Sequence, residues 1–596
     1  MDNQNTRNMI LAGILTLLIL VGWDYGMRYF YPEANKPRPA PTASATPAPE
    51  ASSTAKPTRE GGLTNPADIA LEKQDLKAAL AAPGRVRIEA PGLSGSINLT
   101  GGVVDDLTTN RHTASLEQAD GPQRIFSPAG TPAQYYAQFG WVPGEGVPAA
   151  AVPPANAQWT APAGARLTPQ TPVTLSFDNG TGQLFTLTYA IDADYMLTVT
   201  QTVRNAGQAP LAIKPVAHLN RTDKTASVDN WNVHSGPFGA FDGTVSFGPN
   251  YAEIQESADK TLVNKGNPDW IGFTDIYWMS TLIPDKAGAS SEFRFDQSGI
   301  FRANLFYPQA VIAPGQQSTR TTRLFAGAKE TTVLDKYEDS GIPHFGLAID
   351  WGWFRWFEKP IFWLLKNLFG LVGNFGVAII LLTVIVRGVM FPVAQRQFAS
   401  MAAMKAIQPK MKAIQDRYKD DRAKQQEEIM ALYKKEGVNP LAGCLPIFLQ
   451  IPVFFALYKV LILAVEMRHQ PFALWIKDLS APDPYHILNL FGLLPFTVPS
   501  YLGIGVLAVL LGITMWLQFK LNPAQMDPAQ QQVFAIMPWF MMFIMAGFQA
   551  GLLIYWITSN LLSIGQQAYL YSRHPQLKAQ TDKEAVDHQR AKARGK

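Results

Sequence analysis

The chain has 596 residues, more than one hydrophobic core usually organises, yet only 16% are charged while 47% are hydrophobic, which excludes an ordinary soluble protein of this size. Fifty-one Lys and Arg against 47 Asp and Glu give a net charge of +4, too even a balance for a nucleic-acid binder, whose basic residues gather into a patch. One cysteine, Cys444, excludes an intrachain disulfide framework and a cysteine-cluster metal site, and leaves the redox compartment unread.

The first apolar run, residues 9–23, follows Arg7 and is followed by Asp24, Tyr25 and Arg28, with no small-residue cleavage site close behind it. Residues 1–31 therefore read as an uncleaved signal-anchor transmembrane helix; the alternative is a signal peptide cut farther on, near Ala43. Residues 32–84 are rich in Pro and Ala and predict a flexible spacer, because that composition cannot bury a core. Residues 85–340 change to a period of two, as in 173–191 around Asp178-Asn179-Gly180 and in 195–205. A large all-β domain that folds in water follows, since nothing in it is long enough to cross a bilayer.

Residues 341–372 mix aromatics with Arg355, Glu358, Lys359 and Lys366, which predicts an amphipathic helix in the headgroup plane with Trp and Phe on its buried face. Five further apolar segments, 374–393, 441–464, 500–518, 533–548 and 550–571, approach or exceed the length needed to cross about 30 Å of hydrocarbon at about 1.5 Å per residue. The expected plan is a second transmembrane helix in 373–394, a cytoplasmic helical hairpin in 395–440, spans three to six in 441–571 with a periplasmic loop at 465–499, and a basic cytoplasmic tail in 572–596. Orientation comes from Lys and Arg near the span ends. The 395–440 connection carries ten basic and six acidic residues, and the 465–499 loop only Arg468 and Lys477. Six spans with both termini inside and the β domain outside satisfy this alternation.

Within the hairpin, Met401, Met404, Ile407, Met411, Ile414 and Tyr418 recur every three or four residues, and Ile429, Leu432 and Tyr433 repeat the pattern. Two antiparallel amphipathic helices follow, either solvated or, given adaptable methionine contacts, available for docking.

None of the five C-terminal spans contains Asp or Glu, which disfavours ion-coupled transport. No GxxxxGK[ST] sequence or HExxH motif occurs, so neither ATP hydrolysis nor metal-assisted hydrolysis has a site, and no cofactor is expected. Against that background Arg387 lies about six residues, roughly 9 Å, inside the cytoplasmic end of its span. It either snorkels to the headgroups or faces a wet, inward-open recess, because arginine keeps its proton and needs a partner. Thr383 lies on the same helical face, and Gln450, Thr558, Ser559, Asn560, Gln566 and Gln567 add polar groups in other spans.

In LLTVIVRGVMFP, LAGCLPIFLQIPVFFALY, PFALWIKDLSAPDPYHIL and GLLIYWITSNLLSIGQQ, residues 351–571 resemble the YidC/Oxa/Alb family of membrane-protein insertases, and WIGFTDIYWMSTLIP in the β domain resembles its Gram-negative form. The resemblance implies a multi-domain membrane protein: a periplasmic all-β supersandwich, galactose-mutarotase-like, plus an α-helical transmembrane bundle with a cytoplasm-facing, lipid-open groove. It implies Arg387 as the groove arginine, Thr383 as a lining threonine, and Cys444, Gln450 and Ile451 in the span that meets substrate. Tyr555 and Trp556 match aromatic contact positions, with Asn560 beyond them. These residues guide a client and catalyse nothing. The implied setting is the bacterial inner membrane. The implied partners are nascent membrane proteins, the Sec translocon, the ribosome and signal-recognition targeting machinery, and membrane lipids. Two departures stand out: Gln549 occupies a turn position where the family usually has proline, and 489–511 adds apolar length before the fourth span of the C-terminal region. Two other functions compete: a small-solute transporter with an outer sensor domain, and a membrane-anchored carbohydrate enzyme.

Overall fold

A computed structural model describes residues 60–573 apart from 117–119, 229–232, 286–287, 297, 420, 438–444, 492, 495–502 and 522–527. The expected signal anchor, the basic tail after Arg573 and Cys444 lie outside the described residues. The spacer expected to reach residue 84 is helical near its end, where α1 (Pro66–Ala81) forms. Composition explains the change: Ala, Leu, Glu, Lys and Gln replace Pro, Ser and Thr, Pro66 takes the first turn, and the Asn65 side chain caps it by accepting from the Ala67 amide at 2.9 Å.

An eleven-stranded and an eight-stranded sheet build the β domain. In the smaller sheet, Val173–Asp178, Gln183–Ile191 and Met196–Asn205 pair antiparallel in succession, with Phe177 opposite Phe185 and Leu187 opposite Gln201. The first turn suits its sequence, because Gly180 adopts φ 74° and its amide donates to Asp178 Oδ1 at 2.8 Å. Period-two alternation buries Phe185, Leu187 and Tyr189 while Leu184 faces out. The buried rings meet the other sheet: Trp141 packs edge-on to Phe185 at 5.0 Å, and Tyr189 donates to Gly102 O at 2.7 Å. The domain is a β-sandwich held by apolar burial, at about 1.5–3 kcal/mol for each large side chain removed from water.

Two helices belong to this domain or its edge, α2 (Tyr251–Glu256) and α3 (Thr331–Asp339). Next, α4 (Arg355–Val372) buries Glu358, Ile361, Phe362, Leu365 and Leu368 along one stripe and leaves Trp356 and Trp363 exposed. The expected single face for Trp and Phe is thus divided: Phe362 turns inward against Trp351, while Trp356 and Trp363 turn outward. The reason is the heptad spacing of the two tryptophans, which places them together on the side opposite the aliphatic stripe.

The helix α5 (Phe375–Arg417) runs unbroken for 43 residues, about 65 Å at about 1.5 Å each. The expected boundary at 394/395 is therefore no break, and the first hairpin arm continues the apolar part, of which Phe375–Gln395 is long and apolar enough to cross a membrane. The second arm, α6 (Arg422–Glu436), folds back so that Ile407 and Leu432 share a small core with Met411, Ile414 and Tyr433, and Lys410 pairs with Glu436 at 2.7 Å. Then follow α7 (Leu445–Leu463), α8 (Val506–Leu521), α9 (Pro528–Met545) and α10 (Ala550–Arg573). Their apolar stretches Gln450–Leu463, Val506–Lys520 and Ala535–Met545 are shorter than that of α5.

Contacts fix which helix ends lie beside the sandwich. Just past α7, Arg468 donates to Thr113 O at 2.7 Å and Ala114 O at 3.0 Å, pairs with Glu60 at 2.6 Å and lies over the Trp278 ring at 5.4 Å. Glu466 accepts from the Thr331 amide at 3.1 Å, and at the start of α5 the Asn374 side chain donates to Phe472 O at 2.9 Å. The α9–α10 turn joins the same loop, with Ala550 N donating to Ala481 O at 2.8 Å and Gly551 N to Leu479 O at 3.0 Å. Gln549 is buried there and bridges Pro482. Backbone pairing, rather than a proline ring, thus holds this turn.

Candidate functional site

The polar side chains of the bundle converge on α10. Tyr555 and Ser559 stand one helical turn apart on the face toward α5 and α7. The Arg387 Nε donates to Ser559 Oγ at 3.0 Å, and Nη2 reaches the same oxygen. From α7 the Gln450 amide donates to Tyr555 Oη. Trp556, half-buried, packs edge-on to Phe454 at 5.2 Å, and Ile451 is exposed.

No carboxylate among the described residues lies within ion-pair distance of Arg387. A guanidinium carries five N–H donors, and a hydroxyl oxygen does not neutralise it, so the group keeps both its charge and capacity for further acceptors. Val384, Ile385 and Val389, its neighbours on α5, are exposed, so the arginine stands among apolar side chains turned away from the bundle. A cation with donors to spare beside an apolar margin can hold a polar or acidic group while the adjoining segment meets hydrocarbon.

Two sequence-derived candidates stand elsewhere, and a third is buried within the cluster. Thr383 is buried and its hydroxyl donates to Ile379 O at 2.7 Å, a back-bond within its own helix. Asn560 is buried on the α8 side of α10, where Nδ2 donates to Thr514 Oγ1 at 3.2 Å. Tyr555 belongs to the cluster but is fully buried, so its ring packs the core and its hydroxyl orients Gln450.

Lys459 went unread in the sequence. In α7 it donates from Nζ to Asp350 O at 3.1 Å, close to Glu358 of α4. Burial pushes the Glu358 carboxyl up to about 7 and the Asp350 charge adds to that, while Lys459 pulls the other way. The signal was present: a lysine inside an apolar run and a glutamate inside an aromatic one are each expensive to bury.

Comparison with known proteins accounts for nearly the whole chain. Residues 85–364 match the family described as the YidC periplasmic domain, and residues 367–578 match the 60Kd inner membrane protein family. The chain is 41% identical over 576 residues to the membrane protein insertase YidC of Zymomonas mobilis, covering 96% of each. It is 42% identical over 612 residues to that of Paracoccus denitrificans, covering 96% of this chain and 95% of the relative. A crystal structure of an active YidC insertase with its first transmembrane domain resolved is similar at 20% identity and a TM-score of 0.35, over 82% of this chain and 93% of that one. With a β-sandwich matching the periplasmic domain, helices matching the inner-membrane domain and such identity along 96% of its length, the chain belongs to the YidC family of inner-membrane proteins and is a membrane protein insertase, not an enzyme.

Proposed function

We propose that the chain moves hydrophobic segments of nascent proteins from the cytoplasm into the bilayer along a hydrophilic, lipid-open groove in which Arg387 is the guiding charge. The observation that carries this is the Arg387 guanidinium held by the Ser559 hydroxyl with no carboxylate beside it among the described residues. Burial of the client's apolar surface drives the transfer, and its cost lies in the polar flank that must cross with it. A hydrated cation lowers that cost for acidic flanks without an energy source. Gln450, Ile451 and Trp556 line the client's route, and Cys444 precedes Gln450 and Ile451 in the same apolar segment.

The proposed topology is multi-pass, six spans with both termini and the 395–440 hairpin in the cytoplasm and the β-sandwich in the periplasm. Two independent features support it: the basic residues of the hairpin, and the contacts by which the loop after α7 bonds the sandwich and also holds the start of α5 and the α9–α10 turn, while the hairpin leaves from the other end of α5. Nascent chains delivered by the ribosome and signal-recognition machinery are the clients, which the chain handles alone or with the Sec translocon.

Photocrosslinkers placed at Gln450 and Trp556 test the reading in vesicles that receive stalled nascent chains. Adducts to the client from both sites, and few from a probe at the buried Thr383, are expected. Adducts to a small solute carrier's ligand alone, or none to any client, would defeat it.

A further inference from the structure

The sequence from Asp483 to Lys520 contains no Lys, Arg, Asp or Glu between those two residues, far more apolar length than α8 uses. Its first part is a loop with a rigid base. Asp483, fully buried, accepts from Trp475 Nε1 at 2.9 Å, Tyr485 N at 3.0 Å and Leu507 N at 2.8 Å, so one carboxylate ties the loop to the first turn of α8. Trp475 and Tyr485 stack at 5.8 Å, Ile487 N donates to Ile504 O at 3.1 Å, and a Cβ on Gly505 would strike the Asp483 side chain at 2.7 Å.

Above that base the tip inverts the usual order. Ile487, Leu488, Leu490, Phe491, Leu493 and Leu494 are all exposed, Leu493 at 81%. Leu490 and Phe491 have φ of 50° and 59°, a left-handed conformation that costs bulky residues free energy. A loop that accepts strain and shows six large apolar side chains is poorly suited to water.

From this we infer that the tip is a membrane wedge, seated among the acyl chains at the periplasmic edge of the bilayer beside α8. Continuity identifies the occupant. Leu510, Ile513, Trp516 and Leu517 form an exposed stripe on α8, the helix to which Asp483 ties the loop, so a surface that meets hydrocarbon along α8 extends into the tip. The loop also lies at the sandwich end of the bundle, since it follows Arg468, which donates to Thr113 O and Ala114 O, and its Leu479 and Ala481 carbonyls accept from the start of α10. The inference rests on the proposed topology, which sets that end at the periplasmic leaflet.

The test uses the full chain in lipid nanodiscs with dansylalanine at Leu493, at Ile513 of α8 or at Val263, an exposed residue of the sandwich. Lipids carry a nitroxide either on the headgroup or near the carbonyl end of an acyl chain, and iodide probes water. The Leu493 probe should be blue-shifted and quenched by the acyl nitroxide several-fold more than the Val263 probe, with little response to iodide. If Leu493 behaves like Val263 while Ile513 is quenched by lipid, the wedge is wrong and the spans stand. If Ile513 also responds only to iodide, the span assignment falls and the wedge with it. Protection of Leu493 from both quenchers would mean that a second copy covers the tip, and would equally overturn the proposal.

Discussion

Arg387 of α5 and Ser559 of α10 form the one polar tie among the described residues that holds this cation in the bundle: Nε lies 3.0 Å from Oγ. The serine fixes the guanidinium's position without cancelling its charge, whereas a carboxylate would do both. Positioning without neutralisation suits a group that must bind a passing segment and then release it.

Glu358 makes folding sensitive to pH at the joint between α4 and α7. Its carboxyl is raised to about 7 by burial, above the unfolded value of about 4.3, so it favours the folded state most below that lower value. The contribution fades as pH rises from there through 7. Glu358→Gln, which cannot ionise, should unfold at a higher temperature than the parent at pH 8 and at about the same temperature at pH 4. Thermal unfolding in detergent across that range checks it, and equal shifts at both ends would contradict the buried-carboxyl account.

Arg468 bolts the bundle to the sandwich. Arg468→Ala would leave Thr113 O and Ala114 O without their donor and remove the arginine that pairs with Glu60, at a cost of about 2 kcal/mol. Limited proteolysis should then separate the sandwich from the helices sooner. Insertion should fall less than when α4 is disrupted, because the sandwich has its own core while α4 packs on α5 and α7. Equal loss of insertion in both variants at equal protein levels would count against this division.

Tyr555 separates packing from client contact. Tyr555→Phe removes only the hydroxyl that meets Gln450 and should cost about 1 kcal/mol, whereas Tyr555→Ala empties a fully buried ring position and should cost about 3–5 kcal/mol. Insertion by the Phe variant should stay close to the parent. A large insertion defect in Tyr555→Phe with unchanged stability would instead make the hydroxyl a client contact.

The hairpin gives a test of sidedness. Trypsin added to inverted inner-membrane vesicles should cut between residues 395 and 440, and should spare that segment in spheroplasts. Cleavage there in spheroplasts would reverse the topology.

How far these features were legible depended on how locally they are encoded. The hairpin at Asp178-Asn179-Gly180 and the alternation of Gln183–Ile191 were readable because a two-residue period and a positive-φ glycine act over a few positions. Arg387 stood out because a charge in an apolar run is costly wherever its partner lies. Its partner did not stand out, since Ser559 is one of several hydroxyls in α10 and only packing selects it. Thr383 was placed on the right face by spacing, but a threonine can satisfy itself on its own backbone, and here it does. The break assumed near residue 394 rested on a change of hydropathy; a helix does not stop where its solvent changes, and α5 runs on to Arg417.

Arg387 is proposed to work through its charge in a hydrated site. The most direct measurement is the insertion rate of paired clients that differ only in acidic residues of the translocated segment, taken with Arg387, Arg387→Lys and Arg387→Ala. Lysine keeps the charge and loses the planar fork, so it should retain most activity; alanine should slow the acidic client and spare its neutral twin. If alanine slows neither client, as simple snorkelling requires, or slows both alike, charge guidance by Arg387 is wrong.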